Sequence, residues 1–105
     1  MAKLSNQSIS GTSFHNSTIT ATVNELIAAI GEPQYQSNDG QDKVNFEWDC
    51  ETEDGDVFTI YDWKEYRPLD ENEVIEWHVG GHSGKVTDQA VQEMTDELTK
   101  LFSQF

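Results

Sequence analysis

Apolar and polar residues alternate most regularly in the middle of the chain. From residue 44 to residue 50 every second residue is apolar, and Asn45, Glu47 and Asp49 lie between them. A period of two is typical of a strand with one buried face. The pair Asp54-Gly55 follows, and an Asp-Gly pair between such runs predicts a hairpin turn. We therefore expect a second strand over residues 57–64.

The expected register of this hairpin takes Asp54-Gly55 as its two loop residues. It predicts three facing pairs, namely Phe46 with Trp63, Trp48 with Tyr61, and Cys50 with Thr59. These residues would form the core side of the sheet, where a thiol such as Cys50 is unreactive. The same register places Glu47 opposite Asp62, a like-charge pair that destabilises a sheet.

A helix is predicted over residues 23–30, because apolar residues recur there at helical spacing. Thr22 and Glu25 match a capping box at its start, and Gly31 with Pro33 ends it. A second helix is expected from about Asp88 to Ser103, with Thr87 as its N-cap.

Two weaker strands complete the expected order. One covers residues 8–15 and the other residues 73–79, where Gly80-Gly81 ends it. The elements then follow as β-α-β-β-β-α. This order predicts one α+β domain over residues 1–105, with an antiparallel sheet of about four strands and both helices packed on one face.

The net charge limits the kinds of molecule that the protein is expected to bind. Twenty acids against six bases give a net charge of −14, which disfavours direct binding to nucleic acid or to anionic membranes. A basic or nucleic-acid-binding protein is the partner that such a charge attracts. The single cysteine, the lack of an apolar run at the N-terminus and the lack of a membrane span predict a cytoplasmic protein.

The acids are concentrated in the middle of the chain, with 14 acids and three bases between Asp39 and Glu76. Fourteen charges correspond to about 24 Å of duplex DNA, since DNA carries one charge per about 1.7 Å. An acidic binding face is therefore expected, and imitation of DNA is one form that it could take. Its residues are Glu47, Asp49, Glu51, Glu53, Asp54, Asp56 and Asp62.

Other chemistries have weaker support in the sequence. Three scattered histidines (His15, His78 and His82) make a poor metal signal, and the residues before Gly40 and Gly55 do not match a calcium-binding loop. No catalytic residue, cofactor or metal is predicted, and the protein is expected not to be an enzyme. Two alternatives stay open. One is a homo-oligomeric structural subunit, and the other is a ligand-binding protein or minor enzyme. The pocket of that second alternative would use Tyr61, Trp63, Trp77, His78 and His82.

Several short blocks together resemble small acidic hypothetical proteins encoded by tailed bacteriophages. The blocks are GTSFH at 11–15, GEP at 31–33, DKV at 42–44, FTIYDWK at 58–64 and WHVGG at 77–81. The resemblance implies a viral accessory protein that blocks host defence or a host nucleic-acid enzyme, acting in the host cytoplasm. It implies no site residues.

Overall fold

The computed structural model describes residues 1–102, which form one antiparallel sheet and two helices. The strands are β1 (Lys3–Leu4), β2 (Ser13–Ala21), β3 (Tyr35–Gln36), β4 (Phe46–Glu51), β5 (Val57–Tyr61) and β6 (Ile75–Gly81); the helices are α1 (Val23–Ile30) and α2 (Gly84–Phe102). The sheet order is β1-β4-β5-β6-β2, and β3 also pairs with β4. The α+β class, the antiparallel sheet and the two helices are confirmed.

The predicted strand count and element order are wrong. The described chain has six strands, because β1 and β3 each add two residues to the outer side of β4. Strands of two residues are too short to show a period of two. The first long strand covers Ser13–Ala21 instead of residues 8–15. Its residues are mostly Ser and Thr, so its apolar alternation is weak.

The last strand continues through the two glycines that were expected to end it. At Gly80 an added Cβ would lie 2.6 Å from Thr59 Oγ1, and at Gly81 it would lie 2.9 Å from Thr87 Cγ2. Both positions therefore need a residue without a side chain, because a neighbour packs directly against the backbone.

The predicted hairpin exists, but its register differs by one residue. Gly55 has a φ of +86°, and its N–H donates to the carbonyl of Thr52. The N–H of Thr52 donates to the carbonyl of Asp56. The loop thus has three residues, with glycine at its left-handed position. The observed pairs are Trp48 with Ile60, Cys50 with Phe58, and Glu47 with Tyr61.

This shift moves every side chain of β5 to the other face of the sheet. Phe58 and Ile60 join the core, whereas Thr59 and Tyr61 point away from the helices. The predicted placement of Thr59, Tyr61 and Trp63 on the core side is therefore wrong.

The core lies between the sheet and the two helices. Trp48 and Trp77 meet edge to face at 5.3 Å, and their indole N–H groups donate to the carbonyls of Gly31 and Ala21 at 2.9 Å. Cys50 is buried beside them, as predicted, and burial raises the pKa of its thiol.

The predicted start of α1 is confirmed, whereas the predicted start of α2 is wrong. Thr22 and Glu25 form the predicted capping box, with reciprocal hydrogen bonds of 2.8 and 3.0 Å. The second helix begins one turn earlier than expected, because Ser83 Oγ accepts the N–H of Val86 and caps it. Thr87 is buried inside that helix; the predicted end at Ser103 lies outside the described residues. Neither described helix is long and apolar enough to cross a membrane.

Candidate functional site

The sheet face opposite the helices carries about half of the polar and aromatic residues that the sequence singled out. We call it the open face. Its members are Glu47, Asp49 and Glu51 of β4, Val57, Thr59 and Tyr61 of β5, Glu76, His78 and Gly80 of β6, and Phe14, Thr18 and Thr20 of β2. Part of the predicted acidic face and part of the alternative pocket thus form a single surface.

The connection between β1 and β2 crosses one end of this face, since those strands lie at opposite edges of the sheet. Gln7 on the connection contacts Glu51 Oε1 and the carbonyl of Gly55, both at 3.4 Å. Ile9 lines the same hollow as Thr59. Along the rest of the open face Glu47, Tyr61 and His78 are half-buried.

Glu47 and Asp49 form a carboxyl pair on the open face. The pKa of Glu47 is raised to about 7, first by burial, then by a hydrogen bond with the Asp49 side chain and by its negative charge. Asp49 Oδ1 is buried and accepts no hydrogen bond from another described residue. Since two carboxylates have no proton to share, the bond between the pair forms only when Glu47 is protonated.

A row of aromatic rings crosses the open face beside this pair. Phe14 stacks on His78 with ring centroids 4.0 Å apart, His78 meets Tyr61 at 5.6 Å, and Tyr61 meets Trp63 at 6.1 Å. The two ends of the row are exposed, Phe14 at 38% and Trp63 at 42%. Burial and the neighbouring Glu47 raise the pKa of Tyr61.

Glu47 of the carboxyl pair and two residues of the aromatic row, Tyr61 and Trp63, line a hollow of about 230 Å³. Its lining residues are Ile9, Thr12, Ser13, Val44, Glu47, Thr59, Tyr61, Trp63 and Gly80. A side chain at residue 80 would fill the floor, because its Cβ would reach Thr59 Oγ1 and Tyr61. A wider hollow of about 460 Å³ adjoins the first and shares Val44 and Glu47 with it.

Two lysine ammonium groups lie close to the ring of Trp63, which lines the hollow. Lys43 Nζ is 5.8 Å and Lys64 Nζ is 5.5 Å from the centre of the Trp63 ring. An indole ring attracts cations through its negative face. The Trp63 ring therefore already holds ammonium groups in the free protein.

The predicted acidic residues of the hairpin tip point elsewhere. Glu53, Asp54 and Asp56 are exposed at residues 53–56, where the tip leans on α2. The N–H of Glu53 donates to Glu93 Oε1 at 2.9 Å, and Gln89 Nε2 donates to Asp54 at 3.0 Å. The tip acids thus extend toward the acids of α2, apart from the row on β4.

Asp62 is the clearest correction to the predicted acidic face. It is fully buried, and its Oδ1 accepts the backbone N–H groups of Asn45 and Phe46 at 2.8 and 2.9 Å. Its Oδ2 accepts Asn45 Nδ2 at 3.0 Å. Asp62 therefore closes the end of the hairpin and is unavailable to a partner. The predicted contact with Glu47 does not form, since Tyr61 lies opposite Glu47.

The alternative pocket is also only partly assembled. Tyr61, Trp63 and His78 come together on the open face, whereas Trp77 lies in the core on the other face. His82 is exposed beyond the end of β6. Phe14 was missed, because its signal is one aromatic residue in a stretch rich in Ser and Thr.

Nothing in residues 1–102 brings three His, Cys, Asp or Glu side chains close enough to hold a metal ion. His15 instead lies 3.1 Å from the carbonyl of Gly81 through its Nε2. No protein-family model, curated protein or solved structure matches this chain. The open face is thus the candidate site on its geometry alone.

Proposed function

We propose that the protein binds a positively charged protein through its open face. The observation that carries this proposal is that three carboxyl side chains of β4 share the open face with the aromatic row that ends at Phe14 and Trp63, where Glu47 lies opposite Tyr61. Aromatic residues supply much of the binding energy at protein interfaces, and complementary charges steer the partner and set its orientation.

The overall charge supports a basic partner. A net charge of −14 gives the whole protein a field that attracts cations and repels nucleic acid. On the open face this field is focused by Glu47, Asp49 and Glu51, which lie at every second position of one strand. Side chains at this spacing are about 6.6–6.8 Å apart.

Imitation of DNA is the less favoured form of this proposal. A row that imitates phosphates needs a constant charge, and Glu47 with a pKa of about 7 is only half ionised at neutral pH. Asp62 adds no charge to the surface, because it is buried. The face therefore suits a partner with a few basic side chains better than one shaped to follow a duplex. In the viral setting that the sequence blocks imply, this partner would be a host protein.

The test compares two triple variants, each of which replaces three carboxyl groups by amides. The first is Glu47→Gln with Asp49→Asn and Glu51→Gln on the open face. The second, the matched control, is Glu53→Gln with Asp54→Asn and Asp56→Asn at the hairpin tip. Each variant is immobilised, exposed to bacterial lysate over a salt series, and its bound proteins are quantified by mass spectrometry.

We expect the open-face variant to lose a basic protein that the wild-type chain and the tip variant retain at low salt. Added salt should weaken the wild-type complex, because surface charges are screened over about 10 Å at 0.1 M. Equal losses in both variants would mean that net charge alone drives binding. Retention by the open-face variant would likewise overturn the proposal.

A further inference from the structure

We infer that the hollow between Glu47, Tyr61 and Trp63 is a binding site for an organic cation, an ammonium or guanidinium head group. This inference rests on the proposed open-face function, since a lysine or arginine of the protein partner could supply that group. A free amine or guanidine of the same chemistry could supply it as well. The probes below are small cations, so they test the hollow apart from any protein partner.

The shape of the hollow fits a small head group. Its volume of about 230 Å³ holds a head group together with several waters, because one water takes about 30 Å³ of liquid. The floor is kept open by Gly80, where even a Cβ would lie 2.6 Å from Thr59 Oγ1. A concave site with a few convergent polar groups among aromatic residues is the usual form of a ligand site.

The chemistry of the walls selects a positive charge. Glu47 lines the hollow, and its neighbour Asp49 has a buried oxygen without a hydrogen-bond donor among the described residues. A cation in the hollow would donate to Glu47 and offset the negative charge of the pair. Trp63 and Tyr61 also line the hollow, and cations bind over the faces of such rings within about 6 Å.

Lys43 and Lys64 show that cations do approach this ring. Both ammonium groups lie within 6 Å of the Trp63 ring centre, and Lys43 also lines the adjoining hollow. A guest cation competes with them for the ring. Removal of the Lys43 ammonium group should therefore strengthen the binding of a cation and weaken the binding of an anion.

The site should take up its ligand most readily when Glu47 is ionised. The charged and titratable groups around Glu47 are Asp49 on β4, Tyr61 on β5, Tyr35 on β3, and Asp42 and Lys43 before β4; His78 of β6 contacts Tyr61. With a pKa of about 7, the ionised fraction of Glu47 rises from roughly 0.1 at pH 6 to 0.9 at pH 8. The apparent affinity should rise about tenfold over this range.

The experiment titrates methylguanidinium chloride into the ¹⁵N-labelled protein and follows the three tryptophan indole N–H signals by NMR. Methylguanidinium stays charged from pH 6 to pH 8, like the arginine side chain. The indole N–H groups of Trp48 and Trp77 are hydrogen-bonded in the core, so these two signals serve as internal controls. We expect a saturable shift of the Trp63 signal while the other two stay unchanged.

Four variants test which group holds the cation. Glu47→Gln and Trp63→Ala should each weaken binding about tenfold, the effect of one charge-assisted contact. Because Trp63→Ala has no Trp63 signal, its binding is followed by the backbone N–H signal of Gly80, which also lines the hollow. Glu51→Gln, which changes the same charge on the same strand outside the hollow, should bind like the wild type. Lys43→Ala should bind at least as tightly as the wild type. The pH dependence should vanish in Glu47→Gln, and a pH dependence that persists there would contradict the role of Glu47.

The source of the cation is decided by a second titration with a blocked Gly-Arg-Gly peptide. A peptide that binds at least tenfold more tightly than methylguanidinium assigns the hollow to a side chain of a protein partner; equal affinities assign it to a free small cation. No saturable Trp63 shift, an unchanged affinity in Glu47→Gln, or weaker binding in Lys43→Ala would each overturn the inference. If the basic protein is still captured in those cases, the proposed function survives and only the cation site fails.

Discussion

Replacement of Glu47 by glutamine should stabilise the protein at alkaline pH and leave its stability unchanged in mild acid. The carboxyl group loses its proton near its ordinary pKa of 4.5 in the unfolded chain and near 7 in the folded protein. Between these values the folded state binds more protons than the unfolded state. The stability of the wild type therefore falls as the pH rises from about 4.5 to 7 and stays low above it.

The size of the effect follows from the pKa difference and from the exposure of the side chain. A shift from 4.5 to about 7 corresponds to at most about 3.4 kcal/mol. Glu47 is only half-buried, so solvent screens part of its interaction with Asp49. We expect about 1–2 kcal/mol of added stability for Glu47→Gln at pH 8, and about none at pH 4.5.

Urea unfolding at pH 4.5, 6, 7 and 8, followed by tryptophan fluorescence, measures this difference. Glu51→Gln is the matched control, since it removes the same charge from the same face of β4. A Glu47→Gln variant that is no more stable than the wild type at pH 8 would contradict the raised pKa of Glu47. An equal gain in stability in both glutamine variants would also contradict it, because the gain would then reflect net charge. A gain in Glu47→Gln alone would mean that the carboxyl group is kept at a cost to stability, as at binding sites.

Two further substitutions test the closure of the hairpin at each end. Asp62→Ala leaves two buried backbone N–H groups and an amide without acceptors, and should cost about 3–5 kcal/mol of unfolding free energy. Asp56→Ala, at an exposed acid of the same hairpin, should cost less than about 0.5 kcal/mol; similar urea midpoints for the two would contradict the structural role of Asp62. At the other end, Gly55→Ala should cost about 1–2 kcal/mol, because its φ of +86° is strained for alanine while no neighbour lies within 4 Å to clash. Gly84→Ala, equally free of neighbours but at the start of α2, should be neutral or stabilising, and an equal loss in both glycine variants would argue against a conformational origin.

Local signals in the sequence were sufficient for several elements. The helix at Val23–Ile30 was predicted with its bounds, because its apolar spacing, its capping box and its terminal glycine all act within eleven residues. The strand predicted from alternation over residues 44–50 forms at Phe46–Glu51, and Phe46, Trp48 and Cys50 lie in the core as expected, whereas Val44 lines the hollow. The acidic composition of β4 is likewise visible in the sequence. None of these needs knowledge of a distant contact.

The local sequence of the hairpin did not determine which side chains of β5 point into the core. Loops of two and three residues both fit the turn sequence, and one residue of difference exchanges Phe58 and Ile60 for Tyr61 and Trp63 in the core. The phenol and indole groups of Tyr61 and Trp63 need polar partners when buried, whereas Phe58 and Ile60 need none. Burial against the helices therefore favours the observed register.

Neighbouring residues in the chain were enough to predict the fold class, the central hairpin and the first helix, and the excess of acids is visible in the composition. The burial of Asp62 at the hairpin end, and the position of Glu47 beside Tyr61 and Trp63, became visible only in the folded chain. The difference lies in the range of the interactions involved. Periodicity and capping act between neighbours in the chain, whereas burial, register and the raised pKa of Glu47 arise from residues that only folding brings together.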